Sequence, residues 1–392
     1  MHPPKEYYPQ GGVMWRLKRA IYGLRGSPKA WQDHFAQVLL LEGFIRLKSD
    51  PNLYYHKMTK SYVLVYVDDI LLFGKDSDVT MLAKRIQSRV LLKILGKLEP
   101  GNPIEFLGRS LEHHGNYILI RQLPGYIENI LELVGLSTCR AATTTGTKTI
   151  KQTLDTEEVL DEEGHSLFRK VVGKLQWLVP IRPDIAYATK ELARRLTEPR
   201  QLDLTKVKHL LRYLKGTLSH AFKIQPALFK NKHTNITIDA YVDSDWAGCS
   251  DTRKSTSGVT ISVLGSPIIG YSKTQVILAL SSAEAELYAI GTGTSDTLHL
   301  KSIILEAELC DRVSINIHTD STSGKSVATR TGTGKKTKHV ELRFLYMQEL
   351  VTNKTITITK IHTNDNPADV FTKYTGADTL HHHYEKIGIS FM

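Results

Sequence analysis

The chain has 392 residues, of which 41% are hydrophobic and 23% are charged, and its formal net charge at pH 7 is +11. This composition excludes a disordered chain and is typical of a globular protein, whose length allows two to four domains. The excess of positive charge favours a polyanionic partner such as nucleic acid.

Cysteine use and hydropathy point to a reducing, aqueous environment. The three cysteines, Cys139, Cys249 and Cys310, are far apart and form neither a zinc-binding spacing nor a disulfide framework. The chain contains no apolar run of about eighteen residues and no signal peptide. We therefore predict an intracellular protein without a transmembrane segment.

The N-terminal part of the chain is predicted to form a helix, a hairpin and a second helix. Ser27 and Pro28 have the residue types of a helix N-cap and first turn. Gly43 ends the helical apolar repeat that follows them. The second helix is expected over 78–92, after the hairpin.

Asp68 and Asp69 lie between two very apolar segments, 63–65 and 70–73, that have the pattern of strands. Because Asp is a common turn residue, a plain hairpin turn explains the pair. A metal site explains it as well, since buried charge is tolerated mainly when it is paired or holds a metal. Mg²⁺ commonly binds one or two carboxylates plus substrate phosphates. The pair alone leaves both interpretations open.

The middle of the chain is predicted to form short strands and then helices. Strands surround Phe106-Leu107-Gly108, a helix covers 126–134, and a Thr-rich linker covers 141–148. Residues 160–216 have a helical pattern that is interrupted at Arg182-Pro183-Asp184. The basic segment within it, 206–215, is either a solvated face that also contacts phosphate or a face that is only solvated.

From about residue 235 the pattern changes to strands. Apolar and polar residues alternate over 236–242, and further strands are expected over 258–263, near Ile268, over 314–319 and over 355–361. A long helix is expected over 282–309. This order of strands and helices predicts a mixed α/β domain.

Four acids occupy matching places in this last domain. Asp243 and Asp320 end two of its strands, Glu286 lies in the first turns of the long helix, and Asp369 follows the last strand. Asp320 can be explained as a turn residue and Asp369 as a charge near a helix start, whereas Glu286 has no such explanation. Four carboxylates that converge on one sheet edge would repel each other. Two divalent metals about 4 Å apart would neutralise them and could clamp both oxygens of a phosphodiester displacement.

Short motifs spread over 14–391 carry a family resemblance. They are Leu17–Trp31, Tyr66–Asp69, Phe106–Gly108, Val172–Leu175, Arg182–Ala186, Leu211–Thr217, Asp243–Gly248, Ser255–Gly258, Ser281–Glu286, Thr337–Val340 and Ala368–Lys373. Together they resemble the reverse transcriptase–RNase H region of the Pol polyprotein of copia-type LTR retrotransposons.

The resemblance implies an α+β or α/β multidomain fold in four parts. These are a truncated reverse transcriptase palm over 1–98, a thumb-like region with the Thr-rich linker over 99–150, a helical connection over 151–234, and an RNase H-like mixed sheet with flanking helices over 235–392.

The resemblance also implies roles for the acids. Asp68 and Asp69 would bind the polymerase Mg²⁺ ions. Two Mg²⁺ ions, with Mn²⁺ as a substitute, would be held in the nuclease site by Asp243, Glu286, Asp320 and Asp369. A metal-activated water would then attack an RNA phosphate within an RNA–DNA hybrid.

Two neighbouring acids are alternatives to these assignments. Asp245 competes with Asp243 as the first ligand, and Asp243 is preferred because Tyr241-Val242-Asp243 fits the first-strand pattern of the family. Glu284 is assigned to a capping box with Ser281.

Contacts with nucleic acid are expected from six basic residues: Lys335, Lys336, Lys338, His339, Arg25 and Lys29. A solvated loop explains the first four equally well. The expected partners are an RNA–DNA hybrid, a template RNA with its primer, and other Pol segments such as integrase and fingers–palm, but no membrane. The expected location is a cytoplasmic virus-like particle or the nucleus.

One departure from the family concerns the polymerase site. A reverse transcriptase needs a third carboxylate upstream of the Leu17–Trp31 motif, and Glu6 is the only acid in residues 1–16. We therefore expect an N-terminally truncated enzyme with an incomplete polymerase site and a complete RNase H site. The alternatives are an RNA-directed DNA polymerase when the missing fingers and palm are supplied, and a non-catalytic relic that binds nucleic acid.

Overall fold

The structure, a computed structural model, describes residues 6–7, 11–147, 158–226, 233–329 and 341–391. The chain divides into two compact units, Met1–Leu95 and Gly96–Met392. The finer division into four parts stays a prediction. Within the described ranges, no helix combines the length and the apolar composition that are needed to cross a membrane.

The first unit is an antiparallel sheet with helices. Its elements are α1 (Ser27–Leu41), β1 (Phe44–Arg46), β2 (Leu53–His56), β3 (Ser61–Tyr66), β4 (Asp69–Phe73) and α2 (Asp76–Gln87). The four strands follow one another in the sheet in chain order, each antiparallel to the next. Phe35 and Leu39 of α1 and Leu82 of α2 are buried in the same core as Val63 of β3.

The helix boundaries of this unit differ from the predicted ones. Gly26, not Ser27, is the N-cap of α1, and the Ser27 hydroxyl donates a hydrogen bond to the Ile21 carbonyl at 2.5 Å. The second helix covers 76–87 rather than 78–92. Its C-cap residue is Ser88, whose hydroxyl donates to the Arg85 carbonyl at 2.7 Å and so satisfies one of the last carbonyls of the helix.

One sheet of the second unit gathers strands from distant parts of the chain. It contains β5 (Ile104–Phe106), β6 (Arg109–His113), β7 (Ile118–Gln122), β8 (Ala221–Ile224) and β14 (Ile389–Ser390). All its pairings are antiparallel, and β8 lies between β7 and β14.

Five helices form a largely apolar core beside this sheet. They are α3 (Tyr126–Leu133), α4 (Glu162–Leu178), α5 (Ala186–Ala193), α6 (Gln201–Gly216) and α10 (Ala377–His383). The predicted break is present as two short 3-10 helices, Val179–Ile181 and Pro183–Ile185. The break holds a fully buried ion pair in which Arg182 Nη2 lies 2.7 Å from Asp184 Oδ2. The basic residues Arg212 and Lys215 of α6 donate to backbone carbonyls of residues 137–140, so these two side chains are not simply solvated, and the predicted phosphate contact stays a prediction.

The second sheet of this unit is mixed. It contains β9 (His233–Asp245), β10 (Thr256–Val263), β11 (Ser266–Thr274), β12 (Cys310–Thr319) and β13 (Thr357–Lys360), and its helices are α7 (Ser282–Glu306), α8 (Thr322–Thr329) and α9 (Glu341–Thr352). The strand order is β11-β10-β9-β12-β13. The pairs β11–β10 and β10–β9 are antiparallel, whereas β12 is parallel to both β9 and β13.

The packing of α7 on this sheet follows from the alternation over 236–242. Ile238, Ala240 and Val242 are fully buried on one face of β9. A Cβ atom at Gly293 of α7 would lie 2.6 Å from Val242 Cγ1, so the absence of a side chain there permits close contact between helix and strand. The residues between the apolar ones, including Asp243, therefore lie on the opposite face.

Candidate metal centre

Three acids meet at one edge of the mixed sheet. Asp243 is near the C-terminal end of β9, and Asp320 directly follows β12. Since β9 and β12 are parallel neighbours, their C-terminal ends lie side by side. Glu286 in the second turn of α7 completes the group, in which one carboxylate oxygen from each residue lies within 4.8 Å of the others. Among the described residues, no other set of three acid, histidine or cysteine side chains is placed in this way.

The electrostatics of this group are unfavourable without a cation. Burial raises the pKa of Glu286 to about 9, and the carboxylates of Asp243 and Asp320 contribute to the same shift. Burial likewise raises the pKa of Asp243 to about 6, and Asp369 and Asp320 contribute. The protein therefore holds several negative groups in a place where they disfavour each other's ionisation.

The donor set fits a divalent cation. Glu286 Oε2 is buried and has no hydrogen-bond partner within the described part of the chain. A buried, unsatisfied polar atom is costly, and oxygen atoms of carboxylates are the ligands that Mg²⁺ prefers. The orphaned oxygen and the three converging carboxylates are thus consistent with a hard metal ion at this edge.

Asp369 lies beside this trio, but its carboxylate is paired with a lysine. It belongs to a 3-10 helix, Pro367–Phe371, whose first turn is capped by the Asn366 side chain through a hydrogen bond from Ala368 N at 3.1 Å. Asn366 Nδ2 also donates to the Val242 carbonyl at 3.0 Å, which fixes this segment to β9. The Asp369 carboxylate forms a close ion pair with the ammonium of Lys373.

Three residues at this site were not among the predicted site residues: Asn366, Thr372 and Lys373. The Thr372 hydroxyl donates to Asp243 Oδ2 at 2.5 Å and to the Asp369 carbonyl at 3.0 Å. The sequence contains a signal for Thr372 and Lys373. They are three and four positions after Asp369, so a helical turn places them on the same side as that acid.

The two alternative acids have structural partners. The Asp245 carboxylate accepts a hydrogen bond from the Thr256 backbone, which links the end of β9 to the start of β10. Glu284 takes part in capping the N-terminus of α7. Ser281 Oγ accepts from Glu284 N at 3.2 Å, and Glu284 Oε2 accepts from Leu280 N at 2.8 Å. Neither acid belongs to the converging group.

Asp68 and Asp69 occupy the hairpin between β3 and β4 in the first unit. Asp68 is exposed in the two-residue turn, and Asp69 is the first residue of β4, paired with Tyr66. Val67 has a positive φ of 57°, which is unusual for a β-branched residue, and Trp31 Nε1 donates to its carbonyl at 2.7 Å. Within the described ranges, no third acid, histidine or cysteine joins the two aspartates in a metal-sized group.

The predicted nucleic-acid contacts divide into two sets. Lys335, Lys336, Lys338 and His339 lie outside the described residues. Arg25 and Lys29 are exposed near the start of α1, and Lys29 Nζ lies 3.4 Å from Asp33 Oδ2.

The strand order, the parallel pairing of β9 with β12 and the acids at the sheet edge define an RNase H-like fold in the C-terminal part of a mixed α/β chain. The predicted fold class is confirmed. The reverse transcriptase family, described as an RNA-dependent DNA polymerase, matches residues 2–148.

Relatives with known descriptions cover nearly the whole chain. It is 29% identical over 380 residues to the retrovirus-related Pol polyprotein from transposon RE1 of Arabidopsis thaliana, an alignment that covers 96% of this chain and 25% of that protein. It is 28% identical over 374 residues to the Pol polyprotein from transposon TNT 1-94 of Nicotiana tabacum, covering 92% of this chain and 27% of that protein. An uncharacterized mitochondrial protein of Arabidopsis thaliana is 36% identical over 231 residues, with 58% of this chain and 90% of that protein covered.

The chain belongs to the family of Pol polyproteins from copia-type transposons. It spans about a quarter of the length of the two transposon polyproteins described above, 25% and 27%.

Two solved structures show weak overall similarity. A foamy viral protease–reverse transcriptase in complex with double-stranded DNA gives a TM-score of 0.46 at 12% identity, covering 86% of this chain and 49% of that one. LC11-RNase H1 gives a TM-score of 0.27 at 15% identity, covering 35% of this chain and 91% of that one. The fold assignment rests on the sheet order and register described above.

Proposed function

We propose that this chain hydrolyses the RNA strand of RNA–DNA hybrids at the edge of its mixed sheet. The observation that carries the proposal is the convergence of Asp243, Glu286 and Asp320 within 4.8 Å, with Asp369 beside them. Carboxylates that are crowded in this way are stabilised by divalent cations, and two-metal sites are a common means of cleaving phosphodiesters.

The four acids have different roles in this proposal. Asp243, Glu286 and Asp320 would hold Mg²⁺, and Asp369 would contribute to a second ion. When bound, the two ions would supply Lewis-acid stabilisation of the charge that develops on the phosphate and would lower the pKa of a bound water. Thr372 keeps the Asp243 carboxylate in one orientation through its 2.5 Å hydrogen bond. Asn366 holds the Asp369 segment against β9 through its 3.0 Å bond to Val242.

The substrate is inferred from the charge and the family of the chain. A net charge of +11 favours a polyanion. The relatives are retrovirus-related Pol polyproteins, and their family carries a reverse transcriptase domain, whose product is a DNA strand paired with RNA. The 2′-hydroxyl of RNA allows a protein to distinguish the strand that is to be cut.

Hydrolysis, rather than polymerisation, is the activity we propose for the described residues. Asp68 is exposed at the hairpin tip, and no third ligand joins Asp68 and Asp69 within those residues. Phosphoryl transfer to a growing DNA strand depends on positioned metal ions. The four-acid site therefore supports nuclease chemistry better than the hairpin supports polymerase chemistry.

The test is cleavage of an end-labelled RNA–DNA hybrid by the purified chain with and without Mg²⁺. We expect Mg²⁺-dependent shortening of the RNA strand, abolished by Asp243→Asn and retained by Asp378→Asn, which changes an exposed acid in the first turn of α10. Absence of cleavage, or cleavage that Asp243→Asn leaves unchanged, overturns the proposal.

Two additional measurements separate the alternatives. Primer extension on a poly(rA) template by the chain alone would establish polymerase activity. Hybrid binding that weakens steeply with salt, without Mg²⁺-dependent cleavage, would instead establish a non-catalytic binding protein.

A further inference from the structure

We infer that the ammonium of Lys373 is a counter-ion of Asp369. It occupies the position beside Asp369 that a second divalent cation would take, and it thereby sets the affinity for that cation. The inference rests on the proposed function, because it concerns the same carboxylates. It assigns a role to a residue that neither binds a metal nor belongs to the acidic group.

The ion pair itself is the first observation. Lys373 Nζ is in close contact with Asp369 Oδ1, four residues earlier, so one helical turn brings the two charges together. The Asp369 side chain is 12% exposed, whereas that of Lys373 is 45% exposed. The carboxylate is therefore fixed in the site, while the ammonium lies at its mouth and can turn into solvent.

The ion pair divides the four acids into two sets. Asp243, Glu286 and Asp320 have oxygen atoms within 4.8 Å of each other, and no lysine or arginine forms a salt bridge with any of them within the described ranges. Asp369 stands outside this trio and is the acid that carries the lysine. The trio has no lysine or arginine partner among the described residues, whereas Asp369 is already paired with the ammonium of Lys373.

A second divalent ion and Lys373 would therefore compete for Asp369. Half-exposed ion pairs are weak, since they gain little Coulomb energy in water and cost side-chain entropy. A divalent ion that gains a carboxylate ligand can displace such a pair, but its apparent affinity is reduced by the competition. The trio would accordingly fill first, and the position beside Asp369 would fill at higher cation concentration.

The alternative is that Lys373 only stabilises the turn that carries Asp369. Removing a structural residue would loosen Asp369 and weaken the second ion, whereas removing a competitor would strengthen it. The two roles thus predict changes of opposite sign.

Calorimetric titration of the full chain with Mg²⁺, and separately with Mn²⁺, distinguishes them. The variants are Lys373→Gln, Lys373→Arg and the matched control Lys386→Gln, which removes an exposed lysine whose Nζ donates to the Asp365 carbonyl at 3.1 Å. We expect Lys373→Gln to tighten the weaker binding event by about threefold or more and to leave the tighter event unchanged. Lys373→Arg, which keeps the charge, and Lys386→Gln should both behave as the unmodified chain.

Thermal unfolding in EDTA provides a readout that is independent of binding. Removal of the counter-ion should lower the melting temperature of Lys373→Gln more than that of Lys386→Gln, and saturating Mg²⁺ should cancel the difference. If only the tighter event is detected in the unmodified chain, the appearance of a second, weaker event in Lys373→Gln supports the inference, and its absence overturns it.

An unchanged or weakened second event in Lys373→Gln overturns the inference, as does tightening by Lys373→Arg. If such a result accompanies normal hybrid cleavage by the unmodified chain, the proposed function survives alone. Conversely, the expected titration without any hybrid cleavage overturns the proposed function and leaves the counter-ion role in place.

Discussion

The Thr372 hydroxyl donates a hydrogen bond of 2.5 Å to Asp243 Oδ2, although the two residues are 129 positions apart in sequence. Asp243 is brought there by the central strand of the mixed sheet, and Thr372 by the turn that follows the 3-10 helix of Asp369. The bond holds one carboxylate oxygen in place before any ligand binds. It also lowers the pKa of Asp243 against the effect of burial.

Replacement of Thr372 tests the importance of this orientation. Thr372→Val keeps the shape of the side chain but removes the donor, and we expect hybrid cleavage to fall by about tenfold, since hydrogen bonds to charged groups contribute about 1.5–3 kcal/mol. Thr372→Ser keeps the hydroxyl and should retain most of the activity. Initial cleavage rates at saturating Mg²⁺ measure the effect, and equal rates for the Val and Ser variants would contradict it.

The Glu286 carboxylate should destabilise the metal-free fold. It is buried beside two other acids, and its Oε2 atom has no partner among the described residues. Because its pKa is raised to about 9, the folded chain at neutral pH must keep a proton on Glu286 that the unfolded chain releases, and this costs stability. Glu286→Gln removes that cost, so the melting temperature in EDTA at neutral pH should rise, by about 2–4 °C for each kcal/mol gained.

The same variant should lose hybrid cleavage and the stabilisation that Mg²⁺ gives. Asp378→Asn is the control, because it neutralises an exposed acid of α10 that does not belong to the converging group. A melting temperature of Glu286→Gln in EDTA at or below that of the unmodified chain would show that the buried charge has another compensation.

Gly258 is needed for the approach of the 3-10 helix that carries Asp369. A Cβ atom at this position would lie 2.5 Å from the Ala368 carbonyl oxygen and 2.9 Å from Phe371 Cβ. Gly258→Ala should therefore push the helix away from β10, with a loss of about 1–3 kcal/mol of stability and weaker Mg²⁺ binding.

Gly291→Ala is the matched control, because a Cβ atom there has open space within α7 and the substitution favours the helix. Urea unfolding and Mg²⁺ titration measure both variants. Similar behaviour of the two would mean that the contact between β10 and the 3-10 helix can relax without consequence.

Acid should destabilise the second unit through His220. Burial lowers its pKa to about 4, followed by the charge of Arg182. Because the unfolded chain binds a proton near pH 6.5 and the folded chain does not, the contribution of a neutral His220 is complete above pH 6.5 and is lost as the pH falls from 6.5 towards 4. The loss should be about 1–3 kcal/mol.

His220→Phe removes the titration and keeps an aromatic ring beside Tyr384 and Phe391. We expect its urea midpoint to change less than that of the unmodified chain between pH 7 and pH 4.5. His299→Phe, at an exposed position of α7, should leave the pH dependence unchanged. An identical pH dependence in all three proteins would exclude His220 as the group responsible.

The mixed sheet was predictable from the sequence because its local and its tertiary signals agree. Strict alternation over 236–242 puts Ile238 and Val242 against α7, which also places Asp243 on the other face. Because β12 is the parallel neighbour of β9, the C-terminal ends of the two strands lie at the same edge, and Asp320 is brought there. The structure brings these two acids together with Glu286, while the prediction that they and Asp369 form one metal site stays a proposal.

Other features could not be derived from local pattern. The apolar repeat of α2 does not specify where the helix ends, because the end depends on the turn that begins at the C-cap residue Ser88. The pairing of Lys373 with Asp369 depends on the direction of two side chains within one turn. The sheet that contains β5 and β14 depends on strands of two to five residues that are far apart in sequence, and such short strands carry little periodicity.

The pairing of Ile389–Ser390 with Ala221–Phe222 has a consequence for how the second unit is made. During synthesis, β8 leaves the ribosome long before β14 exists, and all five strands of the mixed sheet appear in the interval. Contacts of such long range close late, because the entropy of a large loop opposes them. The mixed sheet can thus assemble while its neighbour still has an open edge at β8, which β14 covers later.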